Sequence, residues 1–388
     1  MKYRNLRMRR FVAVLMGIFF LCTGLLKLMD PVGTMLIVTE YFKFFHLQFL
    51  QPAAKVIGIL VALLESAVGV ALITGIARKI TAWATYGLVG FFTLLTFILW
   101  LANPEMDCGC FGEAYHLTHL QSLLKNVVLL LLSVFAFTPM HNLGTPRPRR
   151  LVAAWVGWAS LIAVVVYGSL RIPLIDFPAF APGSELFASE NAGSQVQDSY
   201  RSSFIYEKEG RQESFTLDNL PDTTWTFVKV DSLYRADSGR ENPILSFRDA
   251  DGEYQDQMAV QGRVVAFSVY NPAKAPWEKI IERYQAVQEA GAQPLLLVTA
   301  LPQESALQGL PAYISDYKTL ITLNRDNGGA TYFYEGEIIA KWGIRDFPRH
   351  LADDLTEDPV VLSSHTAAQK RILAQGFCLS LGAILILL

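Results

Sequence analysis

Long apolar runs alternate with short polar links over the first 170 residues, and a different pattern follows. Six runs reach spanning length: Phe11–Leu28, Val56–Ile76, Ile80–Ala102, Leu120–Phe137, Leu151–Leu170 and Ile372–Leu388. A bilayer core takes roughly 20 apolar residues per helix, and about 17 at the least. The runs therefore predict membrane helices, the first and last being the shortest. The leader of the first run holds Lys2, Arg4, Arg7, Arg9 and Arg10, which would suit a signal peptide. No small-x-small cleavage site follows, and Phe20-Leu21 before Cys22 is too bulky for a lipoprotein box, so the run reads as a retained helix.

After residue 170 the periods shorten. Residues 173–205 are rich in Pro, Ala, Ser and Gly and read as a tether. Segments Thr224–Val230, Ile244–Phe247 and Gln257–Val260, with an Asp251-Gly252 turn signal, predict a small antiparallel β unit. Arg263–Tyr270 and Pro294–Ala300 read as buried strands on either side of a helix over Pro276–Ala290. A helix over Tyr313–Leu320, a short strand Ile321–Leu323 and a hairpin of Thr331–Tyr334 with Glu337–Trp342 complete an α/β layered domain. The expected division is 1–140 (membrane helices), 141–172 (basic link and fifth span), 173–262 (tether and β unit), 263–357 (α/β domain) and 366–388 (C-terminal span).

Composition agrees with membrane spans. Over 388 residues 52% are apolar and the net charge is only -2, which argues against a nucleic-acid partner. Basic residues set an orientation by the positive-inside rule. Residues 1–10, the Arg78-Lys79 link and the link with Arg147, Arg149 and Arg150 can all be cytoplasmic together. The link at 103–118, with Glu105, Asp107 and Glu113 and no Lys or Arg, then lies outside, as does 171–371. Lys370 and Arg371 stand on the wrong side of the sixth run for this rule. The localisation implied is a multi-pass protein of the cytoplasmic (inner) membrane with a periplasmic domain, its spans in contact with lipid.

The chemistry gathers in Cys108-Gly109-Cys110-Phe111-Gly112 of the outer link. Two thiols one residue apart can form a tight disulfide, which Gly109 makes feasible and which would exchange readily. In an oxidising compartment such a pair is a redox couple or a static disulfide. The start of the fourth span lies close by and lowers thiol pKa, while Asp107 and Glu113 raise it. A metal corner from Cys108, Cys110, His116 and His119 is a further reading. Cys22 and Cys378 lie inside apolar runs and read as small buried hydrophobes.

Glu65 falls near the middle of the second run, where a carboxyl must be paired, protonated or turned into the bundle. Gly58, Ala62 and Ser66 repeat at four-residue spacing and let another helix come close. Lys27, at the end of the first run, reads as snorkelling when taken alone. Lys125 lies one and a half turns inside the fourth run, within reach of Glu65 or of the surface. Residues 32–52, with Tyr41, Phe42, Phe44 and Phe45, read as an interfacial segment.

Gly24/Lys27/Asp30, Glu65/Gly69/Gly75 and the Cys-Gly-Cys-Phe-Gly link together resemble the DoxX-like membrane proteins, in particular the MauE branch, over roughly residues 5–140. The resemblance implies a membrane all-α, four-helix bundle, here with two further spans. It also implies a role in disulfide formation or electron transfer during maturation of exported proteins, with a quinone as candidate cofactor. The layout of 263–357 is similar to a thioredoxin-like domain. Where such a domain carries its cysteines, this chain has Asn271-Pro272-Ala273-Lys274-Ala275, and Gly329-Ala330-Thr331 stands where its proline is usual. An extracytoplasmic α/β domain without the thiol can dock a partner but cannot exchange disulfides itself. The expected function is thus a membrane thiol-disulfide redox protein acting on exported clients. Its site residues are Cys108, Cys110, Glu65 and Lys27. The alternative is a non-catalytic scaffold with a static disulfide.

Overall fold

The computed structural model describes residues 2–386 except 105, 107, 116, 139–147, 175–179, 187–201, 209–210, 216–224, 233–242, 303–306 and 308. The chain divides into a helical unit, Met1–Pro178 with His365–Leu388, and a mixed unit, Ala179–Ser364.

The helical unit contains α1 (Lys2–Met29), α2 (Pro31–Phe44), α3 (Ala54–Thr74), α4 (Arg78–Ala102), α5 (His119–Phe137) and α6 (Pro148–Leu170). Among the described residues five helices are long and apolar enough to cross a membrane: Leu6–Met29, Gln48–Thr74, Arg78–Ala102, His119–Phe137 and Pro148–Leu170. The sixth apolar run lies at the end of a helix over Pro359–Ile386 and is not among these five. Residues 387–388 of that run lie outside the described residues.

Helix ends follow their local chemistry. Asp30 caps α2 by accepting a hydrogen bond from the Gly33 N–H at 2.8 Å, and Pro31 fits the first helical position. Thr118 and Gln121 form a reciprocal capping box that starts α5. The segment expected to lie at the interface forms a helix with a buried first turn, Pro31 to Thr34, followed by a 3-10 turn over Gln48–Ala53.

Close approach of α1 and α3 organises the bundle. Gly17 and Gly69 face each other: a Cβ on Gly69 would stand 2.7 Å from the Leu21 backbone nitrogen and 2.8 Å from the Gly17 carbonyl oxygen. Gly24 meets Ala62 and Ser66 in the same way. Without a hydrophobic driving force between helices in lipid, such backbone contact is what small residues supply. Cys22 and Cys378, expected to be buried, are exposed on their helices. An apolar outer face meets lipid in a membrane, so an apolar run does not mark the protein interior there.

The mixed unit holds two sheets. Strands β1 (Ser202–Lys208), β2 (Arg211–Phe215) and β3 (Thr226–Ser232) form an antiparallel sheet in the order β2-β1-β3. Two segments expected to join it do not. Gln257–Val260 falls in a 3-10 turn over Asp256–Ala259, and Ile244–Phe247 forms no ladder. Side chains take the backbone bonds that a ladder would need. Asp249 Oδ1 accepts from the N–H groups of Asp251 and Glu253, and Asp256 Oδ1 from that of Phe247.

The second sheet contains β4 (Arg263–Val269), β5 (Gln293–Val298), β6 (Ala312–Ile314), β7 (Gly329–Tyr334) and β8 (Glu337–Trp342), in the order β6-β5-β4-β7-β8. Strands β4, β5 and β6 are parallel, while β7 is antiparallel to β4 and β8 to β7. Central β4 is buried on both faces: Val265, Phe267 and Val269 pack with Ile280 and Tyr284 of the helix Trp277–Glu289. Val264 and Ala266 pack on the other face with Leu320 and Leu323. The expected helix over Tyr313–Leu320 starts later, at Tyr317, and takes in Ile321–Leu323, so no strand forms there and Tyr313 belongs to β6. Asp316 decides the boundary, since its carboxylate accepts from the Lys318 and Thr319 N–H groups as an N-cap.

The glycine contacts set two substitutions apart. Gly69→Ala should destabilise the purified protein by about 1–3 kcal/mol through overpacking. Gly87→Ala, where nothing lies within 4 Å of the added carbon, should be neutral or stabilise by up to about 1 kcal/mol. Equal unfolding midpoints for the two would contradict the packing described.

Candidate functional site

Lys27, on the last turn of α1, does not reach outward. It is 8% exposed and its Nζ lies 2.6 Å from Glu65 Oε2, on a residue 3% exposed. The Thr23 hydroxyl, one turn before Lys27, donates to Glu65 Oε1 at 2.5 Å. Both carboxylate oxygens are thus occupied by α1 groups, and the close α1–α3 contact makes that reach possible. Lys27 Nζ also stands 5.6 Å from the centre of the Phe92 ring of α4. Thr34 ties α2 to the same place by donating to the Lys27 carbonyl at 2.9 Å.

The link between α4 and α5 folds into the mouth of this bundle. The Tyr41 hydroxyl donates to the Cys108 carbonyl at 2.6 Å. The Phe111 ring meets Phe19 edge-on at 5.9 Å, and a side chain at Gly112 would stand 3.7 Å from Lys27 Cγ. Gly109 and Gly112 take left-handed conformations, φ 62° and 63°, that let the chain turn inward. Cys108 is 4% exposed and Cys110 half-buried. Their sulfurs lie 3.2 Å apart as unbonded thiols.

The two thiols are unequal. The hydrogen bond with Cys108, in which either sulfur can donate, is the largest influence holding the Cys110 thiol well below its ordinary value. Burial works against this, while the positive charges of Lys125 and Lys27 favour the Cys110 thiolate further. Cys108 is pushed up by the same hydrogen bond, by burial and by the Cys110 charge, with Ser122 and Lys125 opposing. Lys125 Nζ stands 5.5 Å from the Phe111 ring centre and 5.8 Å from that of Phe19.

A cavity of about 410 Å³ joins these groups. Cys108, Cys110, Lys27, Glu65 and Lys125 all line it, and most of its remaining wall is apolar, from α2, α3 and α4. Its size falls in the range of small-molecule sites, roughly 300–1,000 Å³, with a few polar groups converging on an apolar wall.

The structure therefore brings Cys108, Cys110, Glu65 and Lys27 together. Lys125, weighed in the sequence as a partner for Glu65, serves Cys110 instead, because Lys27 already occupies the carboxylate. Tyr41 and Thr23 gave no signal of their own beyond being hydroxyls near helix ends. In the four-residue metal reading, His116 lies outside the described residues. His119 Nε2 lies 3.0 Å from the Pro104 carbonyl oxygen. Among the described residues no group of three or more His, Cys, Asp or Glu is placed to hold a metal ion.

Fold and side chains define a multi-pass membrane-helix bundle that sets a dithiol beside a buried ion pair and an apolar cavity. Residues 7–139 match the family described as methylamine utilisation protein MauE, so this part of the chain is a MauE-like membrane module. Residues 200–233 match a domain of unknown function (DUF8463). No curated protein and no solved structure matches the chain.

The inequality of the thiols can be read by alkylation against pH. A thiol with a lowered pKa stays a thiolate as pH falls through the ordinary cysteine value of about 8.5. In the reduced protein at pH 6, iodoacetamide should modify Cys110 and leave Cys108 intact, and Lys125→Met should move the Cys110 profile to higher pH. Equal labelling of both thiols, or no effect of Lys125→Met, would contradict the assignment.

Proposed function

We propose that this protein is a membrane thiol-disulfide redox protein that passes electrons from exported clients to a lipid-soluble quinone. The observation that carries the reading is the convergence of the Cys108–Cys110 pair, the Lys27–Glu65 pair and Lys125 on one apolar cavity. In the first half-reaction two thiols of a client give two electrons and two protons to a Cys108–Cys110 disulfide, leaving a client disulfide and the two thiols. In the second the Cys110 thiolate and the Cys108 S–H deliver two electrons and one proton to a quinone, Lys27 supplies the second proton and regains the one that Cys110 shed on ionising, and the quinol leaves as the disulfide reforms. Lys27, hydrogen-bonded to Glu65, is the cavity's charged proton donor, and Glu65 holds it in place. Gly109 supplies the freedom that a ring with one intervening residue requires.

The sidedness belongs to the same proposal. The basic segments at residues 2–10, 78–79 and 147–150 support a cytoplasmic N-terminus, which puts the thiols on the periplasmic side, where a disulfide persists. The five-stranded mixed sheet with helices on both faces supports a thioredoxin-like identity for the domain, and its lack of cysteine supports docking as its task. The name of the MauE family ties that family to methylamine utilisation. For this chain the client is proposed only as an exported protein that needs disulfides.

The test is a single turnover without oxygen. The reduced full chain is mixed with a short-chain benzoquinone, and quinol absorbance and alkylatable thiols are followed. One equivalent of quinol should form as Cys108 and Cys110 become resistant to alkylation, and both Cys108→Ser and Cys110→Ser should abolish it. A quinone that stays oxidised while both thiols remain alkylatable would reject the proposal in favour of a scaffold.

A further inference from the structure

Two apolar stripes run along the cavity beside the thiols. On α4 Phe91, Leu94, Leu95 and Ile98 follow the i, i+3, i+4, i+7 spacing of a single helix face, and all of them line it. On α3 Ile57, Val61 and Glu65 repeat at four-residue spacing and line it too, so the apolar stripe of that helix leads to the carboxylate.

Two side chains of the α4 stripe face out of the bundle as well as into the cavity. Phe91 is 56% exposed and Leu94 60% exposed. A residue that lines a cavity and is more than half exposed stands at its opening. Both lie inside the apolar span Arg78–Ala102, so in a bilayer the opening meets acyl chains and not water. The main packing of α4 is on α5, while α2 packs on α3, which leaves the opening between α4 and the α2–α3 pair.

The polar groups stand at the inner end. Lys27 Nζ lies 5.6 Å from the ring centre of Phe92, the neighbour of Phe91 along α4, and Glu65 stands midway along α3. The site balances its own charge, since Lys27 pairs with Glu65 and Lys125 favours the Cys110 thiolate. An occupant therefore needs no formal charge. A phosphate headgroup drawn to this depth would cost far more than a neutral carbonyl. A cavity of about 410 Å³ holds a ring and only the start of a long chain, so the rest of such a chain must leave through the opening.

We propose that the cleft between α4 and the α2–α3 pair is a lateral doorway from the bilayer, occupied by an isoprenoid quinone whose ring reaches Lys27 and Cys110 and whose tail lies over Leu94. The occupant rests on the quinone reading given above, whereas the opening rests on exposure within a span. The quinone then approaches the thiols through lipid and a client approaches them at the polar link, so the two half-reactions use separate entrances.

The test reads binding alone. The purified full chain is oxidised, so that no electrons can pass, and is given a long-tailed ubiquinone in neutral detergent, with native mass spectrometry reading the adduct. The adduct should form in the wild type and in Leu60→Trp, a position exposed on α3 outside the cavity. It should weaken by about tenfold or more in both Leu94→Trp and Val61→Trp, whose larger rings fill the opening. Because no turnover is needed, the doorway and the redox reading can fail independently. No adduct in the wild type, equal adducts in all three tryptophan variants, or a phospholipid adduct in place of the quinone would overturn the doorway.

Discussion

The buried contact between Lys27 and Glu65 is the constraint on which the helical unit depends. A carboxylate at this depth cannot be left alone, and neither can the ammonium that meets it. Their 2.6 Å separation needs α1 and α3 at backbone contact, which Gly17, Gly24 and Gly69 permit. Thr23 fills the other carboxylate oxygen, and Thr34 fastens the start of α2 to the Lys27 carbonyl. Packing and chemistry therefore share the same atoms: the glycines that bring the helices together also set the pair at the cavity wall.

From that frame the thiol link acquires its asymmetry. Tyr41 of α2 holds the Cys108 backbone, and Phe111 seats the link against Phe19 of α1. Lys125 of α5 and Lys27 of α1 then lie close enough to favour a thiolate at Cys110. Cys108 is pushed up by its contact with Cys110 and by burial, and keeps its proton. One sulfur is thus favoured as the thiolate while its neighbour keeps its proton, the starting state of the two-electron chemistry proposed above. The opposite end of the same bundle collects arginines, so the two ends differ in charge as well as in chemistry.

Much of this was legible in the sequence where a rule concerns one element at a time. Apolar length marked five of the helices, Glu65 inside such a run demanded an inward partner, and short continuous apolar runs marked β4 and β5 beside the β7–β8 hairpin. What was not legible depends on which elements meet. Lys27 looked like a snorkelling side chain, because its position at a helix end says nothing about a carboxylate on another helix. Lys125 was placed near Glu65 by depth alone, and only the fold of the link shows the cation beside Cys110. The shift of the strand to Ala312–Ile314 turned on a local signal, the Asp316 cap, that the apolar pattern outweighed. Exposure of Cys22 and Cys378 shows the limit of apolar runs in a membrane protein, where both lipid and protein accept an apolar face.

The central claim is most directly tested by a double-mutant cycle on Lys27 and Glu65, read by unfolding free energy and by the pH profile of Cys110 alkylation. If the two side chains are a buried pair, Lys27→Met and Glu65→Leu should each cost about 3–5 kcal/mol, and the double variant should recover most of that loss. The Cys110 profile should move to higher pH wherever Lys27 is replaced. Additive costs in the double variant, with a Cys110 profile that ignores Lys27, would contradict the account.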